Sequence, residues 1–222
     1  MVNYYLGMGV QPMQRARSRT AKLEREDSIL TATELLLRQT GYDSMTMQAV
    51  ATVAGLAKGT LYLYFTSRES LVLAVHGRLF DRWIDRFAVY QPELAGFNGF
   101  CRDFARHYAD DPLFLQLAGF ANALLERQLD RHDYIRSKRG MARRVKRLAG
   151  LVCRQFSIAP AAAQKLIWGL LTIAGGTAQM TARQPVTKAD LPDDVIAFMG
   201  LANFETVFLN AAIPLGANII SR

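Results

Sequence analysis

Cysteine and histidine are scarce, two of one and three of the other in 222 residues. Cys101 and Cys153 lie far apart with no metal-ligand spacing, which excludes a disulfide framework or zinc site and leaves reduced structural thiols. His76, His107 and His132 show no metal spacing either. With no phosphate loop, dinucleotide fingerprint or nucleophile elbow, the sequence offers no catalytic residues, no metal site and no cofactor, and an enzyme is not expected. Long apolar runs are missing as well. The longest, Leu166 to Ala174, is far short of the roughly 20 residues that a membrane-spanning helix needs. The stretch Met1–Met13 has no basic residue ahead of it and no small-residue cleavage pattern, so no secretory signal, a cytoplasmic location and no membrane partner are expected.

Acidic residues are absent from 134–189, which carry eleven basic ones, and residues 1–25 set Arg15, Arg17, Arg19, Lys22 and Arg25 against Glu24 alone. The net charge of +8 points to an anionic partner, nucleic acid first. The run Arg136, Lys138, Arg139, Arg143, Arg144, Lys146 and Arg147 covers too much of a helix's circumference to be one stripe and reads as a solvated surface.

What is present is apolar material in helical order. Half the residues are hydrophobic and 21% charged, the balance of a globular chain with a real core. Through 24–213 apolar residues recur at three and four, which makes the chain all-α. The first helix is expected from Glu24 to Thr40, with Ile29, Leu30, Thr33, Leu36 and Leu37 inward and Gly41 ending it. A second follows Thr46, a third covers Ala57 to Phe65, and a fourth starts after Thr66 in a Thr66–Glu69 capping box. Further helices are expected over 97–109, 112–130, 133–156, 160–183 and 193–213. Residues 1–20 read as a mobile basic arm, 21–75 as one domain and 76–222 as a larger one.

The segment Thr46 to Phe65 meets the steric needs of a helix-turn-helix. Ala51 is small enough for two helices to cross, and Gly55 tolerates positive φ in the turn. Val50, Ala54, Leu56, Leu61 and Phe65 face a shared core, leaving Lys58, Gly59, Thr60 and Tyr62 on the other side at the start of the third helix. That end of such a motif enters the major groove, where an ammonium, a hydroxyl and an aromatic edge meet phosphates and base edges. The wider stretch from Gly41-Tyr42-Asp43 to Leu71 resembles the DNA-binding domain of TetR/AcrR-family regulators over residues 24–75. The likeness rests on the glycine-aromatic bend, the opening Thr46, Ala54-Gly55 at the turn, Lys58-Gly59-Thr60-Leu61-Tyr62, Tyr64-Phe65, and a basic-Glu start to the fourth helix. It implies that Thr46 bonds a phosphate, that Lys58, Gly59, Thr60 and Tyr62 line the groove, and that Tyr64 and Arg68 clamp flanking phosphates. Ala57 stands where the family usually has Ser or Thr, so the third helix lacks its usual cap. Ala49 replaces a usually polar residue.

The resemblance further implies that 76–222 is a helical ligand-binding and dimerisation domain. Trp83, Phe87, Phe104, His107, Tyr108, Phe120 and Trp168, bulky and partly polar, are the expected lining for an unknown small-molecule effector. The helix 193–213 is apolar around its whole circumference, so a homodimer interface through Phe204 and Phe208 is expected, with Gly169 and Gly176 allowing close approach. The implied function is a sequence-specific repressor released from a palindromic double-stranded DNA operator by its effector. A ligand-independent architectural protein and a transcriptional activator are the alternatives.

Overall fold

The computed structural model describes residues 11–89, 96–121, 125–181, 191–200 and 203–220. Among the described residues every regular element is helical. The α-helices are α1 Gln11–Ser44, α2 Met47–Val53, α3 Lys58–Tyr62, α4 Arg68–Val89, α5 Gly96–Ala109, α6 Pro112–Phe120, α7 Arg131–Phe156, α8 Pro160–Thr181, α9 Asp193–Gly200 and α10 Phe204–Ile220. The chain divides into two compact units, Met1–Leu71 and Val72–Arg222.

In the first unit α1 breaks at Gly41, whose φ of 76° and ψ of 174° lie outside what a side-chain-bearing residue readily adopts. The helix starts at Gln11, well before the expected Glu24, so residues 11–20 of the expected basic arm are helical. Residues 1–10 lie outside the described residues. Ile29, Ala32, Thr33 and Leu37 of α1 are buried, as are Met45, Val50, Ala51, Leu61 and Phe65. Leu30, Leu36, Ala54 and Leu56 are half-buried. Thr33 costs the core little because its hydroxyl donates to the Ile29 carbonyl at 2.8 Å, so this buried hydroxyl is paired. The cap of α4 falls one residue later than expected: the Ser70 N–H donates to Ser67 Oγ at 3.0 Å and the Ser67 N–H to Ser70 Oγ at 3.2 Å. A reciprocal serine pair thus replaces the Thr66–Glu69 box, and the Glu69 carboxylate is engaged elsewhere.

The second unit is built on aromatic rings. Trp83 lies at their centre, stacked on Phe87 at 5.3 Å and meeting Phe104 and Tyr108 edge-on at 5.0 and 5.4 Å; such offset and edge contacts suit the quadrupoles of the rings. Helix α8 packs on α6, α7 and α10, and α10 also packs on α5. At the α6–α8 crossing a side chain on Gly119 would meet the backbone nitrogen of Gln179 at 2.9 Å, so only glycine lets these helices touch.

Two helix expectations shift. Of the expected 112–130 helix, α6 covers Pro112–Phe120, Ala121 and Leu125 have π-helical backbone, a 3-10 turn covers Glu126–Gln128, and residues 122–124 lie outside the described residues. Asp130 then caps α7, accepting from the Asp133 N–H at 2.8 Å. The expected 193–213 helix is two: α9 ends at Gly200, and α10 begins anew with Asn203 Oδ1 accepting from the Thr206 N–H at 3.2 Å.

Candidate nucleic-acid interface and cavity

Helix α2 is fixed at both ends by bonds its sequence provides. Thr46 Oγ1 accepts from the Ala49 N–H at 3.1 Å, which leaves the hydroxyl's own proton for an external acceptor. At the other end Gly55, with φ of 65°, allows the Leu56 N–H to reach the Ala51 carbonyl at 2.8 Å and its own N–H to reach Thr52 at 3.1 Å. Those two bonds are the Schellman pattern that ends a helix sharply. The turn therefore sets α3 at a defined angle to α2. Ala57 precedes α3 in extended backbone with no side-chain cap, as the alanine foretells. Its carbonyl accepts from the Thr60 N–H at 2.9 Å, a 3-10 closure that tightens the first turn.

Leu61 and Phe65 point inward with no exposed surface. Lys58 and Gly59 are exposed, Thr60 and Tyr64 half-buried, and Tyr62 keeps 44% of its surface. Leu63, absent from the sequence expectation, is 81% exposed. Its signal was its place between the outward Tyr62 and the half-buried Tyr64.

Arg68 is already engaged within the chain. Its Nη2 donates to the Tyr42 hydroxyl at 2.9 Å and its Nε to Glu69 Oε1 at 3.2 Å. The guanidinium also lies 4.3 Å from the centre of the Tyr42 ring. Tyr42 donates in turn to Glu69 Oε1 at 3.2 Å. Burial raises the Tyr42 phenol above its ordinary range against the opposing pull of Arg68, so the hydroxyl keeps its proton. From the sequence Tyr42 is expected in the bend after the first helix and Glu69 in the cap of the fourth, with no part in binding assigned to either. Both belong to this cluster beside the expected phosphate clamp.

Of the seven residues expected to line an effector site, two line a cavity of about 70 Å³: Tyr108 and Trp168. Helix α4 adds His76 and Phe80, α7 adds Lys138 and Met141, and α8 adds Leu171, Thr172 and Gly175. Trp83, Phe87 and Phe104 are instead closed in the aromatic core, because each faces other rings on every side. His107 lies 3.3 Å from Asp110 away from the cavity, and Phe120 is half-buried elsewhere. His76 was legible: it shares with Phe80, Trp83 and Phe87 the four-three-four spacing of one α4 face. Burial, with the nearby Arg144 adding to it, lowers the His76 imidazole to about 3, so it is neutral at physiological pH. A wider cleft of about 290 Å³ runs along Leu79, Arg82, Asp85, Arg86 and Asp111, but its lining is mostly charged and half open.

The expected dimer residues need correction. Phe204 is 7% exposed and Phe208 fully buried within the single chain, stacked on Tyr108 at 5.7 Å and Phe104 at 5.3 Å. The chain's own core takes them. Gly169 receives Leu215 of α10, which a side chain there would meet at 2.6 Å, whereas Gly176 has open space above it. The exposed face of α8 instead carries Trp168 at 58%, Thr172, Gly176 and Met180 at 72%. Cys101 is buried and Cys153 half-buried, both as free thiols, and burial pushes Cys101 up to about 12, leaving it unreactive. Asp130, His132 and Asp133 bring possible ligand atoms within 4.8 Å of one another. Asp130 is nevertheless occupied in capping α7, and Asp133 lies 3.1 Å from Arg136.

Known families match both units. Residues 29–75 match the bacterial regulatory proteins of the tetR family, and residues 77–211 match the tetracyclin repressor-like C-terminal domain. The chain belongs to the TetR family. Within it, the transcriptional repressor KstR of Mycolicibacterium smegmatis is 44% identical over 62 residues, 28% of this chain and 30% of that protein. The match thus spans under a third of that relative's length. Two solved TetR-family regulators share the fold across most of the chain. One, from Mesorhizobium loti, is 21% identical with a TM-score of 0.54, covering 88% of this chain and 96% of its own. The other, from Streptomyces coelicolor, is 15% identical with a TM-score of 0.55, covering 89% and 82%.

Proposed function

We propose that the chain is a cytoplasmic, homodimeric transcriptional repressor that binds a palindromic double-stranded DNA operator and releases it when a small molecule binds. The observation that carries this reading is the start of α3. Lys58 and Tyr62 stand out from a helix only five residues long, anchored by buried Leu61 and by the Gly55 turn. A side chain held on a rigid support meets a base edge or phosphate without a large ordering cost. Thr46, with its free hydroxyl proton, and Tyr64 extend the same surface toward the backbone. Repression is favoured by the likeness to the repressor KstR, 44% identical over 62 residues.

The effector enters the reading through the cavity. Helix α4 contributes two of its walls, His76 and Phe80, and the same helix begins at Arg68, a proposed phosphate contact. A ligand that shifts α4 would move that contact. The test is fluorescence anisotropy on a cognate operator with Lys58→Ala and Tyr62→Ala. Each should weaken specific binding by about 1–3 kcal/mol if it reads a base, with helix content unchanged. Wild-type affinity in both would refute the assignment.

A further inference from the structure

Resting on the effector reading, we propose that the cavity beneath Trp168 takes an uncharged, mainly apolar ring compound, held through one hydroxyl or carbonyl oxygen by His76 Nε2 and the Tyr108 hydroxyl. His76 is 6% exposed and its Nε2 has no hydrogen-bond partner. Its ring is fixed by stacking on Phe114 at 5.5 Å and by Phe80 at 5.9 Å, so it cannot turn away to find one. Tyr108 is 3% exposed, and no described residue bonds its hydroxyl. A buried polar atom without a partner is rare in a folded core, because it costs the desolvation of that atom, and His76 Nε2 is such an atom on the cavity that Tyr108 also lines. A ligand hydroxyl can donate to one of His76 Nε2 and the Tyr108 hydroxyl and accept from the other, and a ligand carbonyl can accept from both.

The remaining lining sets the class. Phe80, Trp168, Met141 and Leu171 offer rings and apolar chains. A volume of about 70 Å³ is several times the roughly 10–15 Å³ that a single water needs, the scale of one ring. Charge is disfavoured from both signs. Lys138 Nζ already lies 2.5 Å from Glu126 Oε2. Arg144, nearest to His76, is held by Asp81 through bonds of 3.1 and 2.7 Å. A carboxylate or an ammonium would enter with no counter-charge left for it.

The experiment titrates the full-length protein with phenol, toluene, benzoate and benzylammonium, read by tryptophan fluorescence, since Trp168 lines the cavity and the chain has only one other tryptophan. Phenol should saturate the signal and bind at least tenfold tighter than either ion. Tyr108→Phe keeps the ring and His76→Phe puts a somewhat larger apolar ring in its place, and each should lower the preference for phenol over toluene about three- to tenfold, as loss of one hydrogen bond implies. Benzoate or benzylammonium binding as tightly as phenol would overturn the proposal. So would an unchanged phenol-to-toluene ratio in both variants, or no saturable signal at all. Operator anisotropy with phenol present separates the two readings. Saturable phenol binding with the operator still held would leave the cavity assignment standing and overturn the effector reading.

Discussion

Arg68 shows how a single residue's neighbours change its task. The sequence places it beside a helix start where an anion is favoured, but the structure ties it to Tyr42 and Glu69. Glu69 both orients the guanidinium and subtracts charge from it. Arg68→Ala should weaken binding to every sequence by a similar factor and lower the salt slope by about 1, the loss of one phosphate contact. Glu69→Gln keeps a hydrogen-bonding partner yet removes the opposing charge, so it should raise affinity for unrelated DNA a few-fold and steepen that slope. Identical slopes in Glu69→Gln and wild type would mean that Arg68 does not reach a phosphate. His76 makes a second case at this scale. Folded, it stays neutral down to about pH 3; unfolded, it takes a proton below about pH 6.5. Between those values the unfolded chain binds the extra proton, so stability falls as pH falls. His76→Phe removes that loss and an unpaired buried nitrogen. Its Tm should exceed the wild type's at pH 7, by a gain on the order of 1 kcal/mol, and the gap should widen from pH 6.5 to 4. Parallel Tm curves would show that His76 is paired or solvated.

Among the elements, those with local signals were legible and those decided by packing were not. Gly41, Thr46, Gly55 and Ala57 each act on their own backbone, and the structure finds them at the helix ends the sequence marks. The α4 cap went to Ser67 because Ser70 could answer it, a choice between adjacent hydroxyls that spacing cannot make. On the helix expected over 193–213 apolar residues surround the axis, so periodicity gives no inward side. Only the stacking of Phe104 and Tyr108 decides that Phe204 and Phe208 belong to the chain's own core. The cavity was half legible for the same reason: bulky rings mark a core, and which of them border a void depends on what fails to fill it. The α6–α8 crossing is an element-scale contact with a sharp test. Gly119→Ala puts a methyl against the Gln179 backbone, which cannot rotate away as a side chain would. The crossing must open, at about 1–3 kcal/mol, despite the better helix propensity of alanine. Thermal unfolding of Gly119→Ala at or above the wild-type Tm would show that the helices do not touch there.

At the scale of the whole molecule the outstanding feature is an uncharged strip on α8. From Trp168 to Thr181 the helix has no charged residue, and its exposed face runs Trp168, Thr172, Gly176, Met180. The exposed face of the adjoining α10 adds Thr206, Asn210 and Pro214. A chain with a net charge of +8 that leaves this exposed strip of α8 without charge invites a partner there. A second copy is the partner proposed, because an isologous pairing sets like faces together about a two-fold axis and so matches two recognition helices to a palindrome. Gly176 distinguishes this placement from one through Phe204 and Phe208. It has open space above it, so Gly176→Glu should be tolerated by the single chain and even favour the helix by roughly 0.5–1 kcal/mol. In the dimer two such carboxylates would be buried near the seam without counter-charge. The variant should therefore sediment as a folded monomer with operator affinity reduced at least tenfold. Phe204→Glu should instead unfold or aggregate, because it opens the chain's own core. A Gly176→Glu protein that remains a dimer and holds the operator normally would place the seam on another face.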